Sequence, residues 1–364
     1  MSSLLRSGAM RRVIVFQGDG IGPEIVRAAR RCVDAALVSQ RAKPIDWLEQ
    51  SFDGTGLKGL SESHLDLFDK HRLLFKGPLT VPSGAGGYVE LRGRRFSSAN
   101  QVFRKAFNLY ANMRPSRSYE GIETPFKNVD WLVVRENTED VYTGEEKLVR
   151  PPGGGVEAEY VEAIKRNSRR ASRLVARRAT EFALANGRQR LTVLHKANVC
   201  KLGDGLWLQE TTATANEVLR AHGPGAKLQI DDQLADSMLF NAVLRPQQYD
   251  VLLCPNLIGD FVSDFAAGIV GSLGLCPSAN LGTDYALFEP AHGSAPDIAG
   301  QGKANPISMA LCGVLMLREI GEDKAAAALD KAIERAVAQR NVTPDLKGKR
   351  STDECAQAIV DNLH

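Results

Sequence analysis

Apolar positions along the chain switch repeatedly between two periods. Arg12 to Gln17 (RVIVFQ) is a short β-branched run closed by Gly18-Asp19-Gly20, and it predicts a buried strand. Behind it, Pro23 and Glu24 stand where the first turn of a helix favours them, and Ile25, Ala28, Ala29, Cys32, Val33 and Ala36 follow at helical spacing. Later strands are predicted at Trp131-Leu132-Val133-Val134, Leu191-Thr192-Val193-Leu194 and Asp250-Val251-Leu252-Leu253-Cys254, with helices at about 164–186, 205–221, 323–339 and 352–362. The last opens with the capping-box pattern Ser351-x-x-Glu354. Such alternation predicts an α/β protein with a largely parallel sheet, and no repeat of 20–50 residues is visible. Pro151-Pro152-Gly153-Gly154-Gly155 predicts an exposed connection or a protruding arm.

At 364 residues the chain has room for two domains or one large one. Lys plus Arg number 46 against 43 Asp plus Glu, a net +3 that gives no reason to expect nucleic acid or an anionic membrane as partner. The longest apolar stretches, such as Ala310 to Leu317, fall far short of the roughly 20 residues of a membrane helix, so no membrane partner is expected. The six cysteines are scattered without a C-x-x-C pair, which argues against structural zinc and a disulfide framework and for reduced thiols in the cytoplasm. The first residues, MSSLLRSGAMRR, are basic and lack the apolar core of a secretory signal. An upstream start before Met10 and the remnant of a mitochondrial leader are the readings left open.

Gly18-Asp19-Gly20-Ile21-Gly22-Pro23-Glu24 invites a dinucleotide-fold reading, but the G-x-G-x-x-G spacing fails at Pro23. A tight turn needing positive φ is the plainer expectation. Asn256-Leu-Ile-Gly-Asp260-Phe-Val-Ser-Asp264 directly follows a strand. On a helix, Asp260 and Asp264 share one face, where a cation between them would turn repulsion into attraction. Oxygen donors with no Cys or His nearby in sequence suit Mg²⁺ or Mn²⁺ rather than zinc, and Asp236 is a third carboxylate to consider. The same spacing also marks an ordinary solvated helix face, so the pair alone leaves both readings open. Arg104, Arg114 and Arg135 are candidates for gripping a substrate with several carboxylates through paired, planar hydrogen bonds. Lys196, in His195-Lys196-Ala197-Asn198, closes a strand, outside whose carboxyl end ligands of parallel sheets bind; His195 reads as a packing residue.

Together these segments form a family pattern. GDGIGPE (18–24), LYANMRP (109–115), VRENTED with Tyr142 (134–142), HKAN (195–198), NLIGDFVSD (256–264), EPAHGSAPDIAG (289–300), ANP (304–306) and TPDL (343–346) resemble the β-decarboxylating dehydrogenases, which act on isocitrate, isopropylmalate, homoisocitrate or tartrate. The resemblance runs over nearly the whole chain. It implies two α/β domains sharing a large mixed sheet with the active-site cleft between them, not a Rossmann fold. The large, cofactor-binding domain would hold 1–109 plus 265–364, and the small domain 110–264, with a dimer arm at about 145–165. It further implies a homodimer in which Lys196 and Asp236 reach into the neighbouring protomer's cleft. Asp236, Asp260 and Asp264 would hold Mg²⁺ or Mn²⁺. Lys196 would help remove the hydroxyl proton, and Tyr142 would protonate the carbon that loses CO₂. Thr80, Ser98, Asn100, Arg104, Arg114, Arg135 and Asn198 would bind a hydroxy di- or tricarboxylate. Ile21, Glu289, His292, Gly293, Ala295, Asp297, Ile298 and Asn305 would bind the cofactor.

Ser98-Ala-Asn100-Gln-Val-Phe-Arg104 matches the segment with which isocitrate enzymes grip the γ-carboxylate, so isocitrate is the expected substrate. Val81 stands where those enzymes usually carry a second Thr, and the segment 84–96 is long and bears Arg92, Arg94 and Arg95. A substrate with a different γ-group, such as a phosphonate analogue, is the alternative these departures raise. Asp297-Ile298 replaces the Lys-Tyr pair of NADP-using relatives, and a carboxylate there accepts hydrogen bonds from free ribose hydroxyls and repels a 2′-phosphate, so NAD is expected. A non-catalytic, regulatory component of a hetero-oligomeric isocitrate dehydrogenase is the reading from another class, set against the presence of Tyr142, Lys196, Asp236, Asp260 and Asp264.

Overall fold

The computed structural model describes residues 12–51, 59–80, 89–96, 98–150 and 159–363. Val81, the whole Pro/Gly-rich 151–158 segment, residues 84–88 and the basic start of the chain lie outside the described residues. The chain runs β1 (Arg12–Phe16), α1 (Gly22–Ser39), β2 (Asp46–Gln50), α2 (Glu62–His71), β3 (Leu73–Lys76), β4 (Val89–Leu91), β5 (Arg94–Phe96) and α3 (Ala99–Ala106). It continues with β6 (Ala111–Arg117), β7 (Asp130–Glu136), β8 (Glu146–Val149), β9 (Tyr160–Ala163), α4 (Arg169–Ala185), β10 (Arg190–His195), α5 (Gly203–Ala221), β11 (Gln229–Leu234) and α6 (Ala235–Leu244). Last come β12 (Val251–Cys254), α7 (Asn256–Val270), β13 (Pro277–Leu281), β14 (Ala286–Pro290), α8 (Ile307–Glu319), α9 (Asp323–Ala338) and α10 (Thr352–Asp361).

Two compact units divide the chain, Met1–Trp131 with Ser263–His364, and Leu132–Val262. In the first unit β6 pairs antiparallel with β13, which ties the middle of the chain to its C-terminal part.

In the first unit the strand order is β6-β13-β14-β3-β1-β2, parallel from β14 through β2 and antiparallel around β13. β1 and β3 are apolar almost throughout and buried, as strands covered on both faces must be. Helix α1 starts as expected, with Pro23 in its first turn and Ile25, Ala28, Ala29, Cys32, Val33 and Ala36 buried. The capping box of α10 forms between Ser351 and Glu354. A cluster of Phe16, Phe68, Leu74, Val102, Phe103, Phe107 and Leu287 anchors α3, with the Phe103 ring 6.1 Å from that of Phe16 and 5.8 Å from that of Phe68. Each such side chain contributes roughly 2–3 kcal/mol, which holds the backbone carrying Ser98, Asn100 and Arg104.

The second unit holds a parallel run, β11-β10-β12-β7, with α4 and α5 packed together beside it. The helix expected from about residue 164 starts later. Residues Tyr160–Ala163 pair as β9 with β8, and Ser168 then caps α4 by accepting from the Ala171 N–H at 3.2 Å.

Candidate active site

In the second unit a buried arginine organises the cluster. Arg135 closes β7 and is 1% exposed; its Nε donates to Asn256 Oδ1 at 2.9 Å and its Nη1 to Asp260 Oδ1 at 2.5 Å. Tyr142 donates its hydroxyl to the other oxygen, Asp260 Oδ2, at 2.5 Å, and its ring lies under the Arg135 guanidinium at 4.8 Å. Glycine is required at 259, since an added Cβ would sit 2.7 Å from Arg135 Cγ and 3.1 Å from Cys254 Cβ. The NLIGD spacing thus lets α7 lie directly on the arginine stem.

The VRENTED segment builds this corner by local hydrogen bonding. Buried Glu136 accepts from the Thr138 N–H at 2.7 Å, from the Thr138 hydroxyl at 2.6 Å and from the Glu139 N–H at 3.0 Å. Burial pushes its carboxyl up to about 6 against the pull of those donors. Glu139 accepts from the Ser168 N–H at 2.7 Å, tying the segment to α4.

Lys196 follows β10, and its Nζ lies 2.7 Å from Asp236 Oδ1 in the first turn of α6. That hydrogen bond holds the Asp236 carboxyl below its ordinary range. Fully buried Asp204 accepts from the Lys196 N–H at 2.7 Å and pairs with Lys165 through its other oxygen. His195 packs as expected: it is 6% exposed, its Nε2 is 3.0 Å from Asp232, and its Nδ1 accepts from the Ala197 N–H at 3.1 Å. Asn198 is exposed.

In the first unit three motifs converge. The turn at 18–22 has positive φ at Gly18 and Gly20, confirming the tight-turn reading, and a side chain at Gly20 would collide with the Ser294 carbonyl. The Ile21 N–H donates to that carbonyl at 2.9 Å. Asp19 accepts from the Thr80 N–H at 2.7 Å, and the Thr80 and Ser294 hydroxyls are 3.0 Å apart. Glu289 is committed internally. Its Oε2 lies 2.7 Å from the Nζ of fully buried Lys76, and its Oε1 is 3.2 Å from Arg104 Nη2 and 2.8 Å from Asn280 Nδ2. Burial alone would raise this carboxyl, but the two cations and the hydrogen bonds hold it down at about 2. Nothing in the pattern of residues assigned Lys76 a role; its place in KGP beside Thr80 was the available signal.

On α3, Ser98 is the N-cap, accepting from the Gln101 N–H at 3.2 Å. Asn100 Oδ1 and Arg104 Nε, one turn apart, are buried without a hydrogen-bond partner, the condition a polar ligand would relieve. Arg114 donates to the Ser263 hydroxyl at 2.7 Å and lies 3.5 Å from Asp264. His292 Nδ1 lies 2.9 Å from the Gly293 carbonyl oxygen, its Nε2 is buried without a partner, and burial lowers its pKa. Ala295 is left-handed, Gly293 and Asp297 are exposed, and Ile298 is half-buried. Asn305 has both ends of its amide engaged, donating to Asp345 at 2.9 Å and accepting from the Ile307 N–H at 2.9 Å.

Among the described residues no three His, Cys, Asp or Glu side chains are gathered as a metal site. Asp260 and Asp264 do sit one turn apart on α7, as the spacing predicts, whereas Asp236 is turned to Lys196. Arg92 is occupied by Glu62, Asp66 and the Phe107 ring, which removes one support of the phosphonate alternative.

The chain belongs to the isocitrate/isopropylmalate dehydrogenase family, whose model matches residues 12–359. It is 41% identical over 362 residues to a probable alpha subunit of the mitochondrial NAD isocitrate dehydrogenase of Caenorhabditis elegans, covering 98% of this chain and 92% of that one. It is 37% identical to a regulatory subunit of the mitochondrial NAD isocitrate dehydrogenase of Dictyostelium discoideum, covering 98% and 94%. The fold matches the crystal structure of isocitrate dehydrogenase from Methylococcus capsulatus with a TM-score of 0.86 at 38% identity, over 97% of this chain and 99% of that one.

Proposed function

We propose that the protein oxidises isocitrate with NAD and releases CO₂, giving 2-oxoglutarate and NADH in a reaction that needs Mg²⁺ or Mn²⁺. The observation that carries this reading is the Asp260 carboxylate, held at 2.5 Å by both Arg135 and Tyr142 one turn before Asp264, in a chain of this family. The oxygen donors of Asp260 and Asp264 fit a hard divalent ion, and Asp236 of a second copy would complete the set. The orphaned His292 Nε2 and exposed Asp297 support a role on the NAD side, and Ile21, Glu289, Gly293, Ala295, Ile298 and Asn305 would be the further cofactor residues. When bound, the metal lowers the pKa of the substrate hydroxyl and stabilises the charge that departing CO₂ leaves behind, while NAD accepts the hydride.

The chain's own residues do the rest. Arg104, Arg114 and Arg135 bind the carboxylates, with Ser98, Asn100, Thr80 and Asn198 alongside. Lys196 takes the hydroxyl proton as hydride leaves the adjoining carbon. Tyr142 returns a proton to the carbon from which CO₂ has left.

Several large apolar side chains of the second unit are exposed, among them Leu202 (91%), Val199, Phe240, Leu244 and Phe261. A second copy of the chain would cover them and bring Lys196 and Asp236 to the neighbouring site. Both relatives named above are mitochondrial proteins, which lends no support to a cytoplasmic location. No helix among the described residues is long and apolar enough to cross a membrane.

A regulatory role is the second reading, favoured by the Dictyostelium relative. The test is NADH formation by the purified chain alone, with NAD or NADP, Mg²⁺ or Mn²⁺, and isocitrate, homoisocitrate, isopropylmalate, malate or tartrate. Metal-dependent turnover of isocitrate with NAD, lost in Asp260→Asn, is expected. Inactivity on every acid would favour the regulatory reading, and turnover of another acid in place of isocitrate would overturn the substrate.

A further inference from the structure

Asp140 is 1% exposed and has φ 65° and ψ −151°, a backbone region that glycine alone visits readily. One carboxylate oxygen accepts from the Val141 N–H at 2.9 Å, and the other accepts from the Leu257 N–H at 3.0 Å. Its own N–H donates to the Arg166 carbonyl at 2.9 Å. Val141 opens the single 3-10 turn that carries Tyr142, and Leu257 lies in the first turn of α7, which carries Asp260 three residues on. The free N–H groups at a helix start need acceptors, and a carboxylate there also meets the positive end of the helix dipole.

We propose that Asp140 is a positioning residue whose two oxygens fix the Tyr142 turn against the start of α7, so that the Tyr142 hydroxyl meets Asp260. The strained backbone persists because three hydrogen bonds over-determine it. Glycine would relieve the conformation but supply neither acceptor. The inference rests on the proton-donor role proposed above for Tyr142, and the experiment separates the two.

Asp140→Gly, Asp140→Asn, Tyr142→Phe and the double variants with Phe at 142 are compared for isocitrate turnover, thermal unfolding and amide exchange. Displacing a reacting group by about 1 Å costs on the order of a hundredfold. Asp140→Gly is therefore expected to lower kcat about ten- to a hundredfold with KM changed less than about threefold, and Asp140→Asn, keeping one acceptor, to lower it less. The double variants should be no slower than Tyr142→Phe alone, because a displaced turn has no proton donor left to misplace. The Val141 and Leu257 amides should exchange at least about tenfold faster in Asp140→Gly. If that variant does not fold, Asp140→Asn carries the same comparisons. Multiplying effects in the double variants, a raised KM at unchanged kcat, or unaltered exchange at both amides would overturn the inference. Full kcat in Tyr142→Phe would instead refute the proton-donor role, with the exchange rates still deciding whether Asp140 braces the turn.

Discussion

Lys76→Met takes one of two cations from a carboxylate sealed off from water. Lys76 is 0% exposed and Glu289 6%, with Nζ and Oε2 2.7 Å apart. Breaking a buried ion pair by removing one partner costs about 3–5 kcal/mol, because the remaining charge stays desolvated. Here Arg104 at 3.2 Å and Asn280 at 2.8 Å keep part of the compensation, which puts the loss near the low end, about 3 kcal/mol. At about 2–4 °C per kcal/mol for a domain of this size, the midpoint of unfolding should fall by about 6–12 °C. Glu289→Gln in the Lys76→Met background removes the stranded charge, so the double variant should be more stable than the sum of the two single losses by about 2 kcal/mol. Urea unfolding of the four proteins, followed by circular dichroism at fixed protein concentration, measures the cycle. A single loss below about 1 kcal/mol, or strictly additive losses, would refute the reasoning that the pair is a mutually dependent buried unit.

Gly259→Ala should push Arg135 from Asn256 and Asp260, costing about 1–3 kcal/mol as other overpacked sites do, and lowering kcat/KM for isocitrate; unchanged kinetics would show that α7 can slide to make room. Two buried glutamates predict pH slopes of opposite sign. Glu289, held down at about 2 from 4.5, contributes stability that is present above pH 4.5 and lost as pH falls towards 2, by up to about 3 kcal/mol. Glu136, raised to about 6, favours the folded state below pH 4.5 and loses that contribution as pH rises to 6, by about 2 kcal/mol, so Glu136→Gln should flatten the stability profile in that window. Finally, the pair of changes Asp297→Lys and Ile298→Tyr should raise kcat/KM for NADP relative to NAD by at least about tenfold, and an unmoved ratio in steady-state assays would place cofactor choice elsewhere.

The local periods of the chain were enough to determine β1, α1, β7, β10, β12, α5, α9 and α10, because in each the apolar spacing and the end signals agree. The i, i+4 spacing of Asp260 and Asp264 likewise placed both on one face of α7. β13 could not be read this way. Its Pro277-Ser278-Ala279-Asn280-Leu281 looks like a loop, and it is a buried strand because Asn112 donates to Ser278 at 2.7 Å and to Asn280 at 2.8 Å across the β6 pairing. The partner of each charged side chain was equally hidden. Arg104 meets Glu289 and Arg135 meets Asp260 across separations of 185 and 125 residues, and Asp140 spans 117 to reach Leu257. Periodicity reports which face of an element is buried, a property of neighbours three or four residues apart. Which charge neutralises which is decided when distant elements pack, since burial makes an unpaired charge too costly to leave and the chain supplies a partner from wherever the sheet brings one close.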